Sequence, residues 1–158
     1  MKISENSLKW LMRFYPPMLF QRIWIKNIHK DFKGIDIKIN RSLITSNLGN
    51  STFGGTIFSA TDPFYALLFG QIMQHKDFKV TVWLKSAKIN YIKPGHTDLY
   101  YTLTISDELI NEAELALTHV GKFVKELPIE IYNNSGELCV TATNEVYMRN
   151  LDFKFNKT

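Results

Sequence analysis

The chain of 158 residues contains a single cysteine, Cys139, so an internal disulfide framework is excluded. Its four histidines, His29, His75, His96 and His119, lie far apart, and none stands at metal-ligand spacing from another. Charge of either sign is scarce in excess: nineteen lysines and arginines against fifteen carboxylates leave only +4. That mild balance suits an anionic small ligand or a membrane surface, and is too weak to imply nucleic acid. There is no internal repeat, no low-complexity tract and no Ser/Gly-rich linker. The opening Met1–Asn6 lacks a basic stretch followed by an apolar run, so no secretory leader is expected and a reduced, cytoplasmic setting is.

Long apolar runs are also wanting. From Gly55 to Met73 nineteen residues would just cross a bilayer, but Asp62 and Pro63 sit near the middle. An ionised carboxylate there is costly in lipid, so a buried helix is expected and no transmembrane span. From Trp10 to Ile28 large apolar residues are interrupted by Arg13, Arg22 and Lys26 and broken at Pro16-Pro17. The expectation is two short amphipathic helices about a proline elbow, serving either as a lid on the core or as a membrane-surface anchor.

What is present suits one domain. Hydrophobic residues make up 45% of the chain, and a chain of this size hides roughly 70% of its surface on folding. Gly34–Asn40 alternates Ile35, Ile37 and Ile39 with polar neighbours, the period of a half-buried strand. Further strands are expected over Lys79–Ile92, Leu99–Ile105, Phe123–Tyr132 and Leu138–Met148, the last two joined by the turn Asn133-Asn134-Ser135-Gly136. Ser106 caps a helix running to about Thr118. One helix set early among antiparallel strands is an α+β architecture, and its open sheet edge suits pairing with a second copy. Asp62-Pro63 reads two ways: as the cap and first residue of a helix, or as a bend in a helix that starts near Gly54-Gly55.

The segment from Asn47 to Asp62 resembles the active-site stretch of hotdog-fold thioesterases of the phenylacetyl-CoA type. Their pattern is Asn, two residues, Gly, two residues, His-Gly-Gly, six residues, then Asp or Glu. Here Asn47 holds the Asn position, Asn50 replaces the first glycine, Phe53 replaces the histidine, Gly54-Gly55 match, and Asp62 follows after six intervening residues. Phe-Gly-Gly followed by Asp-Pro, the Ser86–Tyr91 strand, the Lys93-Pro94-Gly95 turn and the Asp107-Glu108 helix are similar to an uncharacterised thioesterase-like branch of that superfamily. The likeness runs from about Phe14 to Arg149.

The resemblance implies a hotdog fold over residues 1–158: an antiparallel sheet of five to six strands around a long central helix (31–150), after a helical segment (1–30). It implies an acyl thioester, acyl-CoA foremost, as substrate and a homodimer that can pair further into a tetramer. No metal or redox cofactor is implied; coenzyme A enters as part of the substrate. Asp62 would activate water, the Gly55 amide would serve as oxyanion donor, and Asn47 would orient the reactants across the dimer interface. Gly54 and Asn50 would border the substrate, with Phe53, Phe58 and Tyr65 along an acyl tunnel. Each residue also has a plainer reading, as turn, cap or core. With Phe53 in the histidine position, the alternative is a non-catalytic binder of acyl groups or lipids.

Overall fold

The computed structural model describes residues 2–154. Ser4 caps α1 (Glu5–Phe14) through its side chain, and Pro16 opens a single further turn, α2 (Pro16–Phe20). The chain then runs through β1 (Ile23–Ile28), a 3-10 turn at Lys30–Phe32, and β2 (Gly34–Ile39). A loop leads into α3 (Gly54–Thr61) and α4 (Pro63–His75), and β3 (Val80–Tyr91), β4 (Leu99–Thr104), α5 (Asp107–His119), β5 (Lys122–Asn133) and β6 (Leu138–Asn150) follow. The six strands form one antiparallel sheet in the order β1-β2-β4-β5-β6-β3.

The expected α+β architecture is present, with one correction near its start. The proline elbow opens a helix of only five residues, Pro16–Phe20, and Ile23–Ile28 is a strand rather than a helix. Its Ile-Trp-Ile pattern buries Ile23 and Ile25 and turns Trp24 outward. β2 supplies the ladder, Ile23 opposite Ile39 and Ile25 opposite Ile37. β-branched residues that pack poorly in a helix pack well on that pleated surface.

The alternation in β2 buries Ile35, Ile37 and Ile39 as its period demands. Against the inner face lies α4, whose Phe64, Leu68, Phe69 and Met73 are completely buried. Each such side chain contributes about 1.5–3 kcal/mol of burial.

α3 and α4 are one rod with a bend. Asp62 keeps right-handed helical torsions (φ −63°, ψ −60°) and its side chain caps nothing, so the helix starts at Gly54 and not at Pro63. Proline lacks the N–H that the preceding turn would use and pushes that turn's carbonyls away. Two buried donors meet the carbonyls at the bend. The Tyr101 hydroxyl donates to the Ala60 carbonyl, and the Asn144 amide donates to the Thr61 carbonyl at 2.8 Å. The Ala60 and Thr61 carbonyls at the kink are therefore met from β4 and β6.

Candidate functional site

The loop before α3 is built by short-range hydrogen bonds. The Asn47 carboxamide accepts from the Ser51 N–H at 3.1 Å and donates to its hydroxyl at 3.0 Å. Asn50 takes a left-handed conformation (φ 56°), which Asn tolerates better than other side-chain-bearing residues. That conformation accounts physically for Asn at a position where the resembling pattern has Gly. The Asn50 carbonyl also accepts from Arg41 at 3.0 Å and faces the His96 ring nitrogen at 3.0 Å. Thr52 ties the loop to the turn before β4 through the Gly95 carbonyl, its N–H at 2.9 Å and its hydroxyl at 3.1 Å.

At the helix start the Gly54 and Gly55 N–H groups meet no acceptor among the described residues. Free first-turn amides at the positive end of a helix dipole favour negative charge on a ligand. The two glycines are crowded by different neighbours. A Cβ on Gly54 would stand 3.2 Å from the Tyr91 hydroxyl, which donates to the Gly54 carbonyl at 2.9 Å. A Cβ on Gly55 would collide at 2.4 Å with the ring of Phe53, which lies along it.

Asp62 stands seven residues beyond Gly55, two turns along and on the same helix face. It is exposed, and its carboxylate has no hydrogen bond or ion pair among the described residues. Phe58, between them on that face, is 40% exposed. A stripe of Gly55, Phe58 and Asp62 thus faces outward, in a rod whose continuation is solidly packed.

The expected residues do not all converge on one place. Asn47 and Gly54 border a hollow of about 340 Å³ with Ile57, Tyr91, Lys93 and Gly95. Asn47, Asn50 and Phe53 border a second, more open hollow with Leu43 and Leu48. Neither hollow is lined by Gly55, Phe58 or Asp62 of the same chain.

Tyr65 joins none of these. It lines a cleft of about 1060 Å³, where β4 and β5 separate after pairing at Leu99–Asn133 and Tyr100–Tyr132. Its hydroxyl donates to the Pro128 carbonyl at 2.7 Å, and burial pushes its pKa up to about 12. The acids of that cleft are engaged: Asp36 with His29 and Thr102, Glu130 with Tyr132.

Tyr91 was not singled out by sequence, where it reads only as one more aromatic in a strand. It holds the helix start through the Gly54 carbonyl, and burial raises its pKa above the ordinary 10. Lys85 and Lys93, basic residues on and just after β3, are paired with Glu145 at 2.8 Å and Glu137 at 2.9 Å. Lys88 on the same strand has no such partner among the described residues.

A family model described as a domain of unknown function, DUF4442, matches residues 5–148. The chain belongs to the DUF4442 family. No protein with a curated description matches this DUF4442 chain by sequence. Solved structures resemble it closely in fold. A Pseudomonas aeruginosa protein of unknown function, described as a probable thioesterase, superposes with TM-score 0.77 at 14% identity, covering 95% of this chain and 98% of the other. A putative thioesterase from Shewanella oneidensis gives 0.68 at 15% identity, covering 92% and 96%. The E. coli PaaI protein, from the phenylacetic acid degradation operon, gives 0.59 at 14% identity, covering 94% and 96%. These likenesses show that the DUF4442 chain has the hotdog fold.

Proposed function

We propose that the protein hydrolyses an acyl thioester, acyl-CoA foremost, as a homodimer. The observation that carries this reading is the pair of unpartnered amides at Gly54 and Gly55, with an unpartnered carboxylate, Asp62, two turns along the same face. The thioester carbonyl oxygen would sit at the amides, where developing negative charge is stabilised. Asp62 takes a proton from water as the water oxygen bonds to the acyl carbon. The C–S bond then breaks, and the thiolate leaves and is protonated, giving a carboxylic acid and free thiol.

Within one chain the hollow beside Gly54 does not include Asp62. The dimer supplies the missing geometry: amides and Asn47 of one protomer face Asp62 of the partner subunit. β3 is the sheet edge nearest in fold to this site, since Tyr91 on it holds the helix start, and among the described strands it pairs with β6 alone. Its twelve residues offer a long edge for pairing with a second β3.

The second reading, an acyl or lipid binder without turnover, is favoured by the Phe53 ring lying on Gly55, where substrate would approach. An acyl-CoA panel with a thiol-reactive dye separates them. Thiol release that disappears in Asp62→Asn supports hydrolysis, and stoichiometric acyl-CoA binding without release supports the binder. Neither release nor binding removes both.

A further inference from the structure

We propose that the N-terminal helices and the outer face of β1 and β2 form a docking surface for an anionic phospholipid bilayer. Between Asn6 and Lys30 there is no Asp or Glu, while Lys9, Arg13, Arg22, Lys26 and Lys30 contribute five positive charges. That exceeds the whole chain's net charge of +4, so the basic excess is concentrated in this segment. The helices are two-faced. Leu8, Met12 and Met18 are buried against the core, whereas Trp10, Leu11, Phe14, Tyr15, Leu19 and Phe20 are exposed, Phe14 at 66% and Phe20 at 73%. Six large apolar side chains are thus left outside between Trp10 and Phe20.

Beside them lies a cationic hollow of about 460 Å³, lined by Arg13, Arg22, Trp24, Lys26, Lys38 and Asn40. The Arg13 guanidinium lies between the Trp10 ring at 4.6 Å and the Trp24 ring at 4.7 Å, and its Nε donates to the Ile25 carbonyl at 2.7 Å. Lys38 is held by Asp98 at 2.8 Å. Arg22 and Lys26 form no ion pair with a described residue.

Charge complementarity selects the occupant. A phosphate-bearing layer above hydrocarbon matches both halves of the surface: cations meet phosphates, and aromatic and aliphatic side chains enter the headgroup boundary. A free phosphate would fill the hollow and leave the apolar stripe in water. A second copy would set five cations against five. The surface also stays open in a dimer paired through β3, because β1 is the opposite edge of the sheet.

The test is sedimentation of the full chain with vesicles of phosphatidylcholine alone, and with phosphatidylglycerol added, at low salt. The protein is expected to pellet with the anionic vesicles only, and added salt should release it. Each positive charge removed should weaken binding roughly fivefold, so Arg22→Glu with Lys26→Glu should lower it far more than tenfold. Phe14→Ser with Phe20→Ser should weaken it as well, with unchanged circular dichroism, since both side chains are exposed. The proposal is overturned if the protein stays in the supernatant with anionic vesicles at low salt. It is equally overturned if both double variants pellet like the parent, if the protein binds inorganic phosphate but not vesicles, or if the Phe variant changes the oligomer mass instead.

Discussion

α3 and α4 belong to one bent helix, yet they sit in opposite environments. In α4, Phe64, Leu68, Phe69 and Met73 have no exposed surface, and the helix packs on β3, β6 and α5. In α3 the inner face buries Ile57 and Ala60, while Phe58 and, at its end, Asp62 look outward. The bend separates them, and its carbonyls are met by donors from the sheet. The contrast teaches a division of labour. Burial in α4 holds the fold, which leaves α3 free to present amides and a carboxylate that have no partner among the described residues.

That division is open to direct attack. The largest effect expected is on turnover: Asp62→Asn should lower thioester hydrolysis by about 10²–10⁴-fold, the usual contribution of a positioned general base, while the melting temperature stays put. A parallel loss of stability would show that Asp62 serves the fold. Phe69→Ala should do the reverse, costing about 3–5 kcal/mol in urea unfolding through the cavity it leaves. At the bend itself, Tyr101→Phe removes the donor to the buried Ala60 carbonyl and should cost about 1–3 kcal/mol. Asn144→Leu should cost less. It strips the Thr61 carbonyl of its donor, but it also removes an Oδ1 that is buried without a partner.

The smallest effect lies far from the helix. Lys93, then Asn133 and Ser135, hydrogen-bond to Glu137 and lower its pKa from the ordinary 4.5 to about 2. A depressed carboxylate stabilises the folded form above its unfolded pKa, and that contribution fades as pH falls from about 4.5 towards 2. The melting-temperature difference between the parent and Glu137→Gln should therefore be small at neutral pH and shrink across that interval. A constant difference would mean that the pairing contributes nothing through ionisation.

Much of the fold was legible because alternation is a local signal. Ile35, Ile37 and Ile39 announce a strand wherever they are placed, and Ser106 with its acidic first turn announces α5. β1 was not legible, since Ile23–Ile28 reads equally as amphipathic helix until β2 is beside it. The site was legible in part. Gly54-Gly55 begin the helix as the resemblance implied, but spacing alone could not show that Tyr65 turns to another cleft or that Phe53 lies on Gly55.

By itself, then, the order of residues determined which segments alternate, where helices can start, and that a carboxylate follows two glycines at two-turn spacing. The choice between a capped helix at Pro63 and a bent one from Gly54 belonged to the tertiary structure. Proline at the first position of a helix leaves no carbonyl without its donor, whereas inside a continuous rod it does, and Tyr101 and Asn144, brought from 41 and 83 residues away, meet the Ala60 and Thr61 carbonyls at that bend inside the molecule.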